Sequence, residues 1–188
     1  MNDQLTSRDE LTLEIVESGV VTFEDLVRCV QRFHYGRNAN RSNLSLVWYE
    51  RKGTCSSKHA FLKMIADLND IPSVDLILCI YRMNDRNTPG VGEVLKSADL
   101  DFIPEAHCFL KINGQERDLT FMHSSIEKLT KDIVHHECIQ PTDIVERKIE
   151  IHQEFMRKWM REDKIQHSFN ELWRIRECCI AELEKKRE

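Results

Sequence analysis

Three features that would assign this chain to a large functional class are lacking from its sequence. It has no excess of positive charge, since 27 lysine and arginine residues stand against 32 aspartate and glutamate residues, for a formal net charge of −5. No nucleic-acid partner is expected without a basic field. No apolar run approaches the roughly 20 residues that span a bilayer. The N-terminal residues lack the basic and apolar regions of a secretory signal peptide. We therefore expect a cytoplasmic protein without a membrane partner.

Paired cysteine motifs are lacking as well. The 7 cysteines are odd in number and scattered, and no Cys-x-x-Cys pair occurs. Neither a disulfide framework nor a zinc ribbon is indicated by this usage. Apart from Cys55, we expect the cysteines to be reduced core residues. The cysteines assigned to the core are Cys29, Cys79, Cys108, Cys138, Cys178 and Cys179.

Length and hydrophobic patterning predict an α+β fold in a single domain over 1–188. Apolar residues at helical spacing predict a helix that follows Thr22 and ends before Gly36. The same spacing predicts a second helix that Thr54 caps, and a continuous apolar run predicts a buried strand over 74–81. We expect no internal repeat and no low-complexity segment.

The dipeptide Asn-Gly at 113–114 predicts a β-hairpin. It separates two strand-like runs, 106–112 and 115–121, and Asn-Gly favours the tight turn that joins antiparallel strands. With these two residues as the turn, His107 and Asp118 lie on the same face as diagonal neighbours, about 7–8 Å apart at the backbone. The hairpin therefore brings an acid within side-chain reach of the histidine.

Two helices are predicted at the C-terminal end as a helical addition over 142–187. Apolar positions predict a long helix over 142–163, and Ser168 with Glu171 forms the capping box of a final helix. We expect the two helices to form an antiparallel hairpin. Trp159 and Trp173 would either cover the sheet or form the surface of a homodimer.

Cys55 is the first residue of the helix that Thr54 caps. A helix N-terminus presents unpaired N–H groups and a partial positive charge, which favour a thiolate over a thiol. Cys55 is therefore a candidate nucleophile. Acyl transfer through a cysteine also needs a base that later acts as an acid, a group that orients this base, and donors for the oxyanion. His107 is the candidate base and Asp118 the candidate orienting group.

The polar loop that precedes Cys55 contains the candidates for oxyanion stabilisation and substrate binding. One oxyanion donor would be the backbone N–H of Cys55 itself. For the second donor and for contacts to a substrate carboxylate or acyl group, the candidates are Asn38, Asn43, Arg37, Arg41 and Trp48. Surface positions for the arginines and core packing for the tryptophan are the alternatives.

The motifs around the three candidate catalytic residues follow one another along the chain on a helix, a strand and the next strand. Gly53-x-Cys55 opens a helix, His107-x-Phe109 lies on a strand, and Asp118 lies on the next strand. Together they resemble the transglutaminase-like superfamily of papain-fold cysteine enzymes, in a small bacterial-type branch. The resemblance covers residues 22–121, with Phe109 where tryptophan is usual. It implies a papain-like core and a Cys-His-Asp triad.

The resemblance also implies a function. It implies cysteine-dependent acyl transfer, or amide or peptide hydrolysis, through a thioester intermediate, with no metal or organic cofactor. The substrate would carry an amide or acyl group on a peptide, a protein or a small molecule. The alternative is a catalytically inactive, transglutaminase-like binding module. The loop 84–104 would form a lid in the first case and fill the cleft in the second.

The residues that follow Cys55 leave further alternatives open. His59 lies four residues after Cys55, so a metal site of Cys55, His59 and His107 is one alternative and a hydrogen bond to a backbone carbonyl is another. We predict no metal, because no paired ligand motif supports one. Lys58 is predicted to be exposed, with electrostatic support of the thiolate as the alternative. The pair His135-His136 is predicted to end a strand.

Overall fold

The computed structural model describes residues 3–185, with the backbone alone at position 184, and shows a mixed α and β fold. Its helices are α1 (Glu10–Glu17), α2 (Phe23–Gln31), α3 (Leu46–Tyr49), α4 (Cys55–Leu68), α5 (Gly92–Ser97), α6 (Glu127–Thr130), α7 (Glu146–Glu162) and α8 (Phe169–Lys185). Its strands are β1 (His34–Tyr35), β2 (Lys52–Gly53), β3 (Val74–Met83), β4 (Ile103–Ile112), β5 (Gln115–Arg117) and β6 (Ile133–Ile139). The predicted α+β class is confirmed.

The strands form two sheets. Four strands lie in one sheet in the order β5-β4-β3-β6, in which β4 and β5 are antiparallel. The short strands β1 and β2 pair in parallel as a separate sheet. None of the helices in the described part of the chain has the length and apolar character needed to cross a membrane.

The chain divides into two compact units. The first comprises the chain up to Leu78 together with Cys108–Ile126 and Cys138–Val145. The second comprises Cys79–His107, Glu127–Glu137 and the chain from Glu146 onwards. The single domain 1–188, the core 22–121 and the addition 142–187 stay predictions, and the ends of the first and last of these ranges lie outside the described residues.

The two predicted helices of the first unit are confirmed. In α2 the Thr22 side chain accepts a hydrogen bond from the N–H of Asp25, as an N-cap does, and the helix buries one apolar face. The helix α4 begins at Cys55 and ends at Leu68, within the predicted limits. The sequence patterns did not predict α1, or the short helix α3 in the loop before Cys55.

The hairpin at 113–114 has the predicted register. Ile112 pairs with Gln115, as a two-residue turn requires, and both Asn113 (φ 51°) and Gly114 (φ 81°) are in the left-handed region. The strand β5 is shorter than predicted, because it ends at Arg117. Beyond it, Asp118 accepts hydrogen bonds from Thr120 instead of continuing the ladder.

The second unit contains more regular structure than the sequence predicted. The helix α5 lies within the predicted loop 84–104. At its start, Asp85 Oδ1 accepts hydrogen bonds from the N–H groups of Gly90 and of Gly92, the first residue of the helix. A Cβ at position 92 would lie 2.6 Å from the Asp85 carboxyl carbon, so any larger residue there would displace this carboxylate. His135 and His136 lie inside β6, so their prediction as a strand end is wrong.

Of the two C-terminal helices, α7 begins later than predicted and α8 begins where its capping box predicts. A 3₁₀ turn at Pro141–Ile144 precedes α7, which therefore begins at Glu146. Ser168 and Glu171 form the predicted capping box of α8, with Ser168 N donating to Glu171 Oε2 over 2.7 Å. Trp173 is half-buried, with the ring of His152 at 5.0 Å between centroids. The homodimer through these helices stays a prediction.

All seven cysteines are free thiols, but they do not all lie in the core. Cys79, Cys108 and Cys179 are buried as predicted, and Cys29 is half-buried. The core assignment is wrong for Cys138 and Cys178, which are exposed. Side chains on β6 alternate in exposure, and Cys138 falls on the exposed side of that alternation.

Candidate functional site

Cys55 occupies the first position of α4 through a complete capping box. Thr54 Oγ1 accepts a hydrogen bond from the Ser57 N–H at 3.4 Å, and Ser57 Oγ accepts one from the Thr54 N–H at 2.9 Å. A Cβ at Gly53 would lie 2.9 Å from both Ser57 Oγ and the Lys58 side chain. Glycine at 53 therefore lets the chain approach α4 closely enough to start the helix at Cys55.

The thiol of Cys55 lies in a largely buried environment. The residue is 8% exposed, and its Sγ is 3.7 Å from Ser56 Oγ. All side chains of the first two turns, from Cys55 to Leu62, are buried. A substrate carbonyl could reach this sulfur only through the small exposed part of the residue.

His59 is fully buried and both of its ring nitrogens are hydrogen-bonded. Nδ1 donates to the carbonyl oxygen of Cys55 at 2.6 Å, and Nε2 accepts from the N–H of Leu119 at 2.7 Å. These contacts define a neutral ring with its proton on Nδ1. The predicted backbone hydrogen bond is thus present, and neither nitrogen is left to bind a metal. No cluster of three ligand-type side chains within the described residues could hold a metal ion.

Lys58 is 0% exposed, so its prediction as a surface residue is wrong. Its Nζ donates to the carbonyl oxygens of Phe33 at 2.7 Å and Thr120 at 2.9 Å, and lies 5.4 Å from the ring centroid of Phe121. These acceptors offset the cost of burying the ammonium group. Lys58 lies three residues before Phe61, on the apolar stripe of α4. This spacing is the sequence signal that could have predicted its burial.

The segment that carries Asp118 is attached to the first two turns of α4. Asp118 Oδ1 accepts from the Thr120 N–H at 3.0 Å and from its hydroxyl at 2.6 Å. The same oxygen lies 3.8 Å from His59 Nε2. With Lys58 bound to the Thr120 carbonyl, adjacent residues of α4 hold both ends of this short segment. The predicted acid and the predicted nucleophile therefore belong to one hydrogen-bonded cluster.

His107 lies on β4, in the second unit, and is half-buried. Its ring meets that of Tyr81 edge to face, with centroids 6.3 Å apart and an interplanar angle of 81°. The Tyr81 hydroxyl in turn lies 3.1 Å from Thr88 Oγ1. The action of His107 as the base for Cys55 stays a prediction.

The loop candidates divide between structural contacts and exposed positions. The side-chain N–H groups of Asn38 lie within hydrogen-bond distance of the Leu46 and Lys52 carbonyls and of Glu50, at 2.9–3.3 Å. The bond from Asn38 is the main reason that the pKa of Glu50 lies below its usual range. Trp48 is buried, with the Arg51 guanidinium 3.7 Å from its ring centroid. These contacts favour the packing interpretation of Trp48.

Three other loop candidates are exposed. Arg37 and Arg41 are exposed, in agreement with either substrate binding or a surface role. Asn43 is also exposed, and its side-chain oxygen accepts a hydrogen bond from the N–H of Ser45 at 3.1 Å. Its side-chain amide would still be able to donate to a ligand.

The second unit contains a cluster of buried charges that the sequence patterns did not predict. Glu105 on β4 accepts two hydrogen bonds from the Arg176 guanidinium, both 2.6 Å long. His152 Nε2 donates to the Pro104 carbonyl at 2.7 Å and lies 3.9 Å from Glu105. Burial would raise the pKa of Glu105, but the charge and hydrogen bonds of Arg176, together with the charges of His152 and Lys148, lower it to about 2. Burial lowers the pKa of His152 against the opposing charge of Glu105.

Comparison with protein-family models, curated proteins and solved structures finds no match for this chain. The contacts of its own residues and the motifs in its sequence are therefore the observations that bear on its function.

Proposed function

We propose that this chain is a transglutaminase-like cysteine enzyme that catalyses acyl transfer or amide hydrolysis. The catalytic triad of the proposal is Cys55, His107 and Asp118, and the core 22–121 would be papain-like. The main support is the cluster in the first unit, in which Cys55 begins a capped helix and the Asp118 segment is bonded to that helix. A triad needs a nucleophile and an acid at fixed positions with the base between them, and this cluster supports the first of these needs.

The proposed reaction proceeds through a thioester. The Cys55 thiolate attacks the carbonyl carbon of an amide, and the N–H of Cys55 donates to the developing oxyanion. His107 then gives a proton to the leaving amine as the C–N bond breaks. Water or a second amine attacks the thioester, with His107 taking its proton, and the thiolate leaves. Asp118 would orient the imidazole throughout both steps.

Two observations favour the alternative of an inactive binding module. Only 8% of Cys55 is exposed, which limits access to its sulfur. The side-chain amide of Asn38, a candidate oxyanion donor, already contacts three acceptors in its own loop. A module of this kind would keep the fold and bind a partner without forming a thioester.

The pH dependence of Cys55 alkylation tests the enzyme proposal. Each cysteine is quantified by peptide mass spectrometry after brief alkylation, so exposed Cys138 is an internal reference. Burial and the nearby Asp75 raise the pKa of Cys138, which should react only at high pH. We expect Cys55 to react below pH of about 8.5, the range of an unperturbed thiol.

The variants His107→Ala and Asp118→Asn complete this experiment. Loss of the low-pH reaction of Cys55 in His107→Ala, with Cys138 unchanged, would support the thiolate–imidazole pair. A weaker loss in Asp118→Asn would support its orienting role. If Cys55 stays inert, or titrates as an ordinary thiol in all three proteins, the enzyme proposal is wrong and the binding module is preferred.

A further inference from the structure

The second unit contains a cavity of about 220 Å³ between α7 and the strands β3, β4 and β6. Its lining is part apolar and part charged. The apolar part includes Phe102, Val134 and Trp159, and the charged residues are Arg82, Lys158, Glu162 and Asp163. An apolar protein cavity of about 150 Å³ is large enough to take up benzene. This cavity therefore has room for one aromatic ring with a short substituent.

Aromatic side chains form one wall of the cavity. The rings of Phe102 and Trp159 lie 5.3 Å apart between centroids, tilted by 43°. Val134 adds an apolar surface and is 47% exposed, although it lies on a strand. A flat ring that entered the cavity would contact aromatic faces and cover this exposed valine.

Arg82 supplies a positive charge at the same cavity. Its Cζ lies 5.3 Å from the ring centroid of Phe102, and within the described residues its guanidinium makes no ion pair. The other cation, Lys158, already lies 3.9 Å from Glu162. A guanidinium binds a carboxylate with two parallel hydrogen bonds, so Arg82 is the group best suited to an anionic substituent.

Trp159 contributes a donor that the protein itself does not use. Its Nε1 is buried and has no acceptor among the residues that the structure describes. Buried donors are rarely left without an acceptor in native proteins. Because the Trp159 side chain lines the cavity, a ligand that lies against it should change the fluorescence of this tryptophan.

The acidic residues of the lining restrict the charge of the ligand. Glu162 and Asp163, at the C-terminal end of α7, line the cavity together with Arg82. Two carboxylates and the negative end of a helix disfavour a dianion such as a phosphate monoester. A single negative charge, placed at Arg82, is compatible with this arrangement.

We propose that this cavity is a binding site for an aromatic monocarboxylate. The ring lies against Phe102 and Trp159, and the carboxylate accepts hydrogen bonds from Arg82. The carboxylate belongs either to a free arylalkanoic acid or to the C-terminal phenylalanine or tryptophan of a peptide. The site lies wholly within the second unit, so the proposal does not depend on the chemistry proposed for Cys55.

Isothermal titration calorimetry of the full chain tests the chemistry of the ligand. The probes are phenylacetate and indole-3-acetate, with the neutral phenylacetamide and the cationic benzylamine as controls of similar size. We expect the acids to bind with a Kd on the order of 1 mM, and the two controls at least roughly tenfold more weakly. Equal binding of phenylacetamide, or no binding of either acid, would overturn the proposal.

Two pairs of variants test the assigned residues. Arg82→Gln should weaken phenylacetate binding roughly tenfold, whereas Arg161→Gln, an exposed arginine on α7 outside the cavity, should change it less than about twofold. Phenylacetate should change the tryptophan fluorescence of Trp173→Phe but not of Trp159→Phe. The site would be contradicted if Arg82→Gln bound phenylacetate as tightly as the unchanged protein, or if phenylacetate still changed the tryptophan fluorescence of Trp159→Phe.

A final comparison identifies the source of the carboxylate. N-acetylphenylalanine and a tripeptide that ends in phenylalanine are titrated beside their C-terminal amides. Tighter binding of the tripeptide than of phenylacetate supports a peptide C-terminus, and the reverse supports a free acid. Binding of the peptide amides as tightly as of the acids would count against a carboxylate site from either source.

Discussion

Each unit of this protein buries a cation, but the two cations are accommodated in different ways. In the first unit, the Lys58 ammonium donates to the backbone carbonyls of Phe33 and Thr120. In the second unit, the Arg176 guanidinium forms two hydrogen bonds with the carboxylate of Glu105. Carbonyl dipoles solvate a charge without neutralising it, whereas a carboxylate cancels it.

This difference predicts an electrostatic role for Lys58 and a stabilising role for the Glu105–Arg176 pair. A charge that donates to backbone carbonyls keeps more of its field than one paired with a carboxylate, and the field of Lys58 near Cys55 and Asp118 would act on the proposed chemistry. A cancelled charge has little field, so the Glu105–Arg176 pair chiefly joins β4 to α8. We therefore expect the first cluster to affect reactivity and the second to affect stability.

The largest expected effect comes from breaking the ion pair in the second unit. Arg176→Met would leave the Glu105 carboxylate buried without its partner and should lower the free energy of unfolding by about 3–5 kcal/mol. Urea titration followed by tryptophan fluorescence measures this, with the exposed Arg174→Met on the same helix as the control. A loss below about 1 kcal/mol would mean that water replaces the guanidinium. Cys55 alkylation in the folded variant should not change.

Acid should weaken the second unit through the same pair. The pKa of Glu105 is about 2 in the folded state and 4.5 for an ordinary glutamate, so its contribution is full above pH 4.5 and is lost as the pH falls towards 2. The lowered pKa of His152 acts in the same direction below about 6.5, because only the unfolded state then binds the proton. The lowered pKa of Glu105 should contribute up to about 3 kcal/mol to the free energy of unfolding.

Urea titrations at several pH values check this linkage. In Glu105→Gln, the free energy of unfolding should fall less steeply between pH 4.5 and 2, because this carboxylate no longer takes up a proton. An acid-unfolding curve identical to that of the unchanged protein would show that other carboxylates dominate.

Breaking the first cluster should affect both properties. Lys58→Met keeps the aliphatic stem but leaves the carbonyls of Phe33 and Thr120 without a donor, at an expected cost of about 1–3 kcal/mol. It should also slow Cys55 alkylation at neutral pH. Lys63→Met is the matched control, because Lys63 lies on the same helix and forms an ion pair with Asp67 on the helix surface. Stability loss with unchanged alkylation would restrict Lys58 to a structural role.

The smallest expected loss of stability comes from removing a helix cap, and two caps can be compared. Thr54→Ala and Thr22→Ala each remove a capping hydroxyl, and each should cost about 1 kcal/mol. Only Thr54→Ala should reduce the low-pH alkylation of Cys55, because it loosens the helix start that carries the thiol. Equal alkylation in the two variants would show that the helix N-terminus does not activate Cys55.

The parts of the fold and site that could be predicted are those defined by local rules. Thr54 and Ser57 specify where α4 begins, and Asn113 with Gly114 specifies the register of the hairpin, because the interacting groups are at most a few residues apart. The burial of Lys58 could not be deduced in this way. Its acceptors belong to Phe33 and Thr120, which are 25 and 62 residues away.

By itself the sequence determined the α+β class, the position of Cys55 at a helix start and the strand that carries His107. The tertiary structure alone decided that Lys58 and His59 hold the Asp118 segment and that Arg176 pairs with Glu105, 71 residues away. Capping and turn formation depend on neighbours along the chain, and the sequence displays them. The burial of a charge depends on which distant groups surround it, and only the folded chain brings those groups together.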